Sequence, residues 1–323
     1  MACPARPLFL KVHVQGTETV LRACEAAGVP VRVCSRPACP GRGPSGSPGR
    51  LRFADAAPAG QRFVLTSSAS VLYDGTDLLD ATEDHPYAAK PADPYTETKI
   101  YQEQVRGRRQ RHPHAPRAPT QTSISRALRA CGHAPQIVLK ANTAKLQTIA
   151  LRPHTIFGPK DQCITTMVEQ GRKGSLKFIV GDGQNIVDVT YVANLVHAHL
   201  LAAESLTPGS ATAGKAYHIT NDEPVKFWEF TGNVLEVYGL PRPSIPIPAK
   251  LLLALTIVVA FVLSLLEPLT GPIKNTFTPS RIRLASTHHS YSCARAKAEL
   301  GYRPLYNNMQ SIVATYQQAT ARK

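Results

Sequence analysis

The residues best suited to chemistry lie around Tyr95 and Lys99, a tyrosine followed four positions later by a lysine. Asp93 is a good N-cap and Pro94 suits the first position of a helix, so we expect a helix to begin here. Tyr95 and Lys99 then lie one turn apart on one helix face. A phenol ordinarily has a pKa of about 10, and a nearby ammonium favours the phenolate. We therefore expect Lys99 to lower the pKa of Tyr95, which suits proton transfer with an alcohol or carbonyl.

A serine-rich segment at 67–70 supplies the second part of this candidate site. It follows the apolar run at 62–65, which is typical of a buried parallel strand whose carboxyl end opens onto a ligand crevice. Ser68 could hold a substrate oxygen against the phenol. A tyrosine and lysine at this spacing are also common on ordinary exposed helices, so the pair alone is a weak signal. The strand, the serines and the helix together predict a site for alcohol oxidation.

Longer motifs resemble those of a known family. The segment from Phe63 to Gln104 resembles an extended short-chain dehydrogenase/reductase of the 3-beta-hydroxysteroid dehydrogenase group. The similarity resumes at 151–159, Leu-Arg-Pro-His-Thr-Ile-Phe-Gly-Pro. It then passes through 178–183, 188–194 and 218–224 and runs nearly to the C-terminus.

The resemblance implies an α/β fold with a Rossmann-like, doubly wound parallel sheet that is truncated at its N-terminus. An incomplete dehydrogenase domain would cover residues 1–245, with disordered inserts at 30–60 and 106–147. Residues 246–270 would form a membrane-associated segment, and 271–323 the rest of a smaller substrate region. In that region we expect a helix that stops at Gly301, followed by a last amphipathic helix.

The same resemblance implies an activity, the oxidation of the 3-beta-hydroxyl of 4-alpha-carboxysterols with decarboxylation, using NAD or NADP. Tyr95 would remove the hydroxyl proton, Lys99 would lower the pKa of Tyr95 and bind the cofactor ribose, and Ser68 would orient the substrate oxygen. Pro153 and Phe157 are further candidate cofactor contacts, and Asp188 would be structural. The implied partners are a sterol and the membrane of the endoplasmic reticulum or a lipid droplet, with a homodimer as an assembly state.

The beginning of the chain argues for a different interpretation. Residues 10–29 are predicted to be a helix that the family places directly before the serine strand, and residues 1–10 contain no Gly-rich turn of the kind that holds a pyrophosphate. Gly41-Arg42-Gly43-Pro44-Ser45-Gly46 matches that motif formally, but its proline forbids the required helix start. His13 stands where the family usually has asparagine. A non-catalytic relative and a membrane-tethered sterol-binding scaffold are therefore the alternatives.

Charge and cysteine content exclude other classes of protein. The net charge is +15, with nine Lys and Arg and no acidic residue between Gln104 and Ala150. No zinc-finger spacing or RNA-binding signature accompanies this charge, so we expect no nucleic-acid partner. The seven cysteines include no CxxC pair, which indicates reduced thiols, and no metal site is predicted.

The run from Leu251 to Leu266 is apolar on all sides. A helix of this length spans about 24 Å, less than the ~30 Å hydrocarbon core of a bilayer. We expect it to embed in a membrane, either as a tilted span or as a hairpin dipping into one leaflet. The alternative is a buried core helix.

Overall fold

The computed structural model describes residue 17 and residues 61–103, 138–139, 142–144, 146–270 and 278–321. The strands are β1 (Gln61–Thr66), β2 (Leu78–Ala81), β3 (Leu146–Pro153), β4 (Ile156–Phe157), β5 (Phe178–Val180), β6 (Ile186–Val187), β7 (Thr190–Tyr191), β8 (Ala216–Ile219), β9 (Val225–Lys226), β10 (Ile245–Ile247) and β11 (His289–Tyr291). The helices are α1 (Pro94–Glu103), α2 (Gln162–Arg172), α3 (Val192–Ser205), α4 (Phe227–Val237), α5 (Ala249–Thr270), α6 (Pro279–Leu284), α7 (Ala294–Leu300) and α8 (Asn308–Thr320).

Three parallel strands in the order β1-β3-β8 form the sheet that carries the site. On one face, Ile149 and Leu151 of β3 pack against buried residues of α3 and α7. On the other face, Leu146 and Ala150 pack with Leu65 of β1. Because both faces are covered, β3 and β8 are buried at every residue and not at alternate ones. The strand predicted at 62–65 is confirmed as the centre of β1.

The first residues of β3 fall inside the insert predicted at 106–147. Leu146 pairs with Gln61 of β1. Val138 is fully buried and packs in the cluster that contains Leu146. The insert prediction is therefore wrong for the end of that segment, because these residues complete the sheet and its core. The rest of the two predicted inserts lies outside the described residues. The same holds for residues 41–46 and for the helix predicted at 10–29, of which only Thr17 is described.

In the described residues, the remaining strands form three further sheets, of which the four-stranded mixed sheet β2-β11-β6-β9 is the largest. Asp188 lies between this sheet and the central one, where its Oδ2 accepts the backbone N–H of Tyr291 at 2.7 Å. Its position in the interior fits the structural role predicted for it. The helix predicted to stop at Gly301 is α7, and Gly301 takes the left-handed conformation with φ 65°. The last helix is α8, which begins with a capping box.

The apolar run at 251–266 is helical, within the longer helix α5. Within the part of the chain that the structure describes, no helix is both long and apolar enough to cross a membrane. The tilted span expected from the sequence is therefore not supported. Leu251, Leu255, Ile257 and Val258 of α5 are exposed, so its first part is not the buried core helix of the alternative.

Candidate active site

A cavity of about 420 Å³ opens where β1 and β3 end. Ser67 and Ser68 line it from the residues after β1, and Pro153 and His154 line it at the end of β3. The start of α1 and the helix α6 complete its walls. A crevice at the carboxyl ends of parallel strands is where open α/β sheets bind ligands, and its volume is within the range of small-molecule sites.

Local sequence fixes the start of α1 and so the position of Tyr95. Asp93 caps the helix, because its Oδ1 accepts the backbone N–H of Thr96 at 2.7 Å, and Pro94 is the first helical residue, as predicted. Tyr95 then lines the cavity together with Ser68, whose hydrogen-bonding side chain lowers the pKa of the phenol. The Oγ of Ser68 lies 2.8 Å from the Oγ of Ser70, and this hydrogen bond restricts the rotamer of Ser68. The structure thus brings Tyr95 and Ser68 together in the cavity.

Lys99 lies one turn further along α1, below the ring of Tyr95. Its Nζ is 5.9 Å from the ring centroid and donates hydrogen bonds to the carbonyl oxygen of Thr66 at 3.0 Å and to Oε1 of Gln102 at 2.9 Å. Burial lowers the pKa of Lys99 to about 8, and the charge of Glu103 partly opposes this effect. Lys99 is therefore held close to Tyr95, and its pKa lies near physiological pH.

The pKa of Tyr95 corrects one prediction. Burial raises this pKa above its ordinary value, the hydrogen bond with Ser68 lowers it, and the charge of Asp93 raises it. Contrary to the prediction, Lys99 is not among the groups that shift this pKa, and its ammonium donates to the carbonyl oxygen of Thr66 and to Gln102. In this arrangement Ser68 is the group that favours the phenolate, and the neutral phenol is the resting form.

The two cofactor contacts predicted after β3 have different outcomes. Pro153 lines the cavity next to Ser67. Phe157 is 0% exposed and packs in the core between the rings of Tyr191 and Phe230. The prediction that Phe157 contacts the cofactor is therefore wrong, because its side chain is enclosed by its own core.

Sequence reasoning missed two cavity residues, Arg281 and His154. Arg281 of α6 brings a cationic side chain to the wall, almost two hundred residues after Tyr95. No local pattern links the two, although Thr278-Pro279 marks the helix start that presents it. The ring of His154 bonds through Nδ1 to the carbonyl oxygen of Asp188 at 2.7 Å. Burial lowers the pKa of His154 to about 4, so this side chain is neutral.

Comparison with known proteins identifies the relatives of this chain. A model described as the 3-beta hydroxysteroid dehydrogenase/isomerase family matches residues 119–249. The mouse protein named sterol-4-alpha-carboxylate 3-dehydrogenase, decarboxylating, is 39% identical over 318 residues, which are 97% of this chain and 69% of that protein. The human protein of the same name is 36% identical over 315 residues, 97% of this chain and 67% of that protein.

Solved structures add evidence on the fold. RMD from Pseudomonas aeruginosa complexed with NADPH superposes with a TM-score of 0.54 at 15% identity, over 97% of this chain and 75% of that one. The dTDP-glucose 4,6-dehydratase from Bacillus anthracis in complex with NAD gives 0.53 at 15% identity, over 98% and 70%. The fold is thus the Rossmann-like fold of dehydrogenases and epimerases. The chain is 39% and 36% identical to the mouse and human proteins and covers 69% and 67% of their lengths. It therefore belongs to the 3-beta hydroxysteroid dehydrogenase/isomerase family.

Proposed function

We propose that this protein oxidises the 3-beta-hydroxyl group of 4-alpha-carboxysterols with NAD or NADP, followed by loss of the carboxylate as carbon dioxide. The observation that carries the proposal is the meeting of Tyr95 and Ser68 in one cavity, with the ammonium of Lys99 5.9 Å from the ring centroid of Tyr95. The substrate class comes from the names of the mouse and human relatives.

The residues around the cavity fit the nicotinamide half of a dinucleotide. Lys99 uses two of its three N–H donors within the described residues, which leaves one for a ribose hydroxyl. Ser67 has a buried Oγ without a partner in the described part of the chain, and it lines the cavity beside Pro153. Tyr95 and Lys99 would hold the ribose. When bound, NAD(P)+ supplies a hydride acceptor for the alcohol carbon.

Tyr95 and Ser68 have different roles at the substrate oxygen. Ser68 can donate to or accept from the substrate hydroxyl and keeps it next to the phenol, while Tyr95 takes the hydroxyl proton. Because burial raises the pKa of Tyr95, its phenolate is a strong base once formed. The hydrogen bond with Ser68 stabilises that phenolate and so lowers the cost of forming it.

Arg281 gives the cavity a means to recognise the substrate carboxylate. A guanidinium suits a carboxylate because it can donate two parallel hydrogen bonds. Oxidation at the neighbouring carbon produces a beta-keto acid. When the carbon–carboxylate bond breaks, its electron pair moves towards the new ketone, so no further residue is needed to accept the electrons.

The proposal includes a membrane location at the endoplasmic reticulum or a lipid droplet, where a sterol substrate resides. Its support is a cluster of exposed apolar side chains on α5, namely Leu251, Leu255, Ile257 and Val258. The strand β10, which comes just before α5, pairs with β5. The exposed Phe178 and Ile245 are neighbours in this pair. Such a surface inserts at the lipid interface without crossing the bilayer. The homodimer stays a prediction.

Two measurements on purified protein test the proposal. NADH and NADPH are titrated against protein fluorescence. In a separate assay the protein is incubated with a 4-alpha-carboxysterol and NAD+ or NADP+ while ketosterol and carbon dioxide are quantified. We expect binding of at least one dinucleotide and release of the two products in equal amounts. Tyr95→Phe serves as the matched variant that keeps the ring, and it should bind dinucleotide but form neither product. Absence of dinucleotide binding would contradict the proposal and favour a sterol-binding scaffold.

A further inference from the structure

The partners of Lys99 include a side chain to which no role has been assigned. Gln102 is buried on α1, three residues after Lys99, and its Oε1 accepts a hydrogen bond from Nζ at 2.9 Å. Its Nε2 donates to Oγ1 of Thr17 at 2.6 Å. Because an ammonium can only donate, the oxygen of this amide must face Lys99. The bond to Thr17 then secures the opposite end, so that the amide cannot rotate freely.

Both acceptors that the ammonium has in the described part of the chain are neutral. One is the carbonyl oxygen of Thr66 and the other is the amide of Gln102. A carboxylate at either place would stabilise the charged lysine by direct attraction. We propose that Gln102 is a positioning residue for Lys99, a neutral acceptor that holds the ammonium in place without fixing its charge. The inference rests on the proposed function and deepens its account of that site.

The other charged and titratable groups around Lys99 agree with this role. On α1, Glu103 favours the charged lysine, but it is already engaged by a buried ion pair with Arg152 of β3 at 2.6 Å. The ring centroid of Tyr95 lies 5.9 Å from Nζ. On α3, His199 bonds to the hydroxyl of Thr66 at 2.7 Å and not to Lys99. In the described residues, Gln102 is thus the side chain in direct contact with Nζ.

The neutral contact has a consequence for proton release. Burial lowers the pKa of Lys99 to about 8, and an uncharged partner leaves that effect in force. Lys99 can then lose a proton to water and regain it near physiological pH. Each oxidation places one proton in this site, and a lysine that exchanges protons at this pH can return it to solvent.

The test compares Gln102→Glu with Gln102→Met. The probe is the ¹³Cε resonance of Lys99 in ¹³C-lysine-labelled full-length protein, assigned by its loss in Lys99→Met and followed against pH. For Gln102→Glu we expect the midpoint to rise by about one to three pH units, because a carboxylate replaces the amide. For Gln102→Met we expect it to fall, because an acceptor is lost. Gln317→Glu adds the same charge at an exposed position of α8 and should leave the midpoint unchanged.

A second measurement connects the midpoint to the site. The Kd for NADH or NADPH should rise above pH 8 in the unaltered protein, and Gln102→Glu should delay that rise by the same interval as the resonance. The inference is overturned if Lys99 has the same midpoint in both Gln102 variants. Because the resonance needs neither cofactor nor turnover, the inference can fail or hold independently of the proposed activity. If Gln102→Glu does not fold, Thr17→Val provides a second test, because it removes the hydrogen bond that holds the amide of Gln102 in place. We expect Thr17→Val to lower the midpoint of Lys99. An unchanged midpoint in this variant also overturns the inference.

Discussion

Tyr95 is held in a setting that favours the neutral phenol. Burial raises its pKa, and the hydrogen bond with Ser68 is the contact that opposes this effect. At a given pH the fraction of reactive phenolate therefore depends on Ser68. The serine acts on the base as well as on the substrate, a role that its position after a strand did not predict.

Replacing Ser68 with alanine should lower the rate of oxidation by about 100-fold, comparable to the loss of one donor to a reacting oxygen. Because the hydrogen bond lowers the pKa of Tyr95, its loss raises that pKa further. The acid limb of the pH profile of kcat/KM should then move to higher pH. Ser175→Ala is the matched control, since Ser175 is exposed and does not line the cavity. A profile that keeps its acid limb in Ser68→Ala contradicts this role.

Arg281 allows a second test at the level of one side chain. Replacing it with methionine should raise KM for a 4-alpha-carboxysterol by about 10- to 100-fold, since a hydrogen bond to a charged group contributes roughly 1.5–3 kcal/mol. A 3-beta-hydroxysterol without the carboxylate should show the same KM with both proteins. Arg281→Lys should recover part of the difference in KM, because lysine keeps the positive charge but cannot donate the two parallel hydrogen bonds of a guanidinium. Equal losses for the two sterols would show that Arg281 only shapes the cavity.

At the scale of elements, α1 is the part that places the chemistry. Its first turn is fixed by the Asp93 cap. Its last turn is fixed by Glu103, whose carboxylate forms the ion pair with Arg152 of β3 and accepts the hydroxyl of Tyr87 at 2.8 Å. The helix that carries Tyr95 and Lys99 is thereby tied to the strand whose end forms the opposite wall of the cavity.

Removing the cap tests whether this placement matters. Asp93→Ala should lower the free energy of unfolding by about 1 kcal/mol, measured with urea, and should reduce activity by more than the loss of folded protein explains. The control is Asp161→Ala, which removes the N-cap of α2, a helix that does not line the cavity. It should cost similar stability and leave kcat unchanged. Equal effects on kcat would mean that the cap only stabilises the fold.

Local signals predicted the elements that depend on neighbours in sequence. The start of α1, the position of β1 and the stop at Gly301 each follow from adjacent residues. The errors concern contacts between distant segments. Phe157 is enclosed by Tyr191 and Phe230 from later elements, and the ammonium of Lys99 is turned towards the carbonyl of Thr66. Neither contact leaves a pattern in the sequence, because both depend on how the elements pack.

At the scale of the whole molecule, one wall of the cavity and the exposed apolar surface belong to neighbouring helices. α6, which lines the cavity, packs against α5, which carries the exposed Leu251, Leu255, Ile257 and Val258. A sterol that leaves a bilayer near α5 would therefore be close to the cavity wall. The proposed membrane location would need contact between α5 and lipid, but no helix that crosses the bilayer.

Arginine substitutions on α5 test that contact. Ile257 and Val258 are 66% and 57% exposed, so replacing both with arginine should not disturb the core. If these side chains insert into lipid, the double variant should lose co-sedimentation with vesicles of phosphatidylcholine and phosphatidylserine. Leu305→Arg is the control, because Leu305 is 58% exposed on a segment outside α5. The net charge of +15 would also attract anionic lipid, but salt screens that attraction and leaves apolar insertion intact. Release of the unaltered protein by high salt alone would contradict insertion through α5.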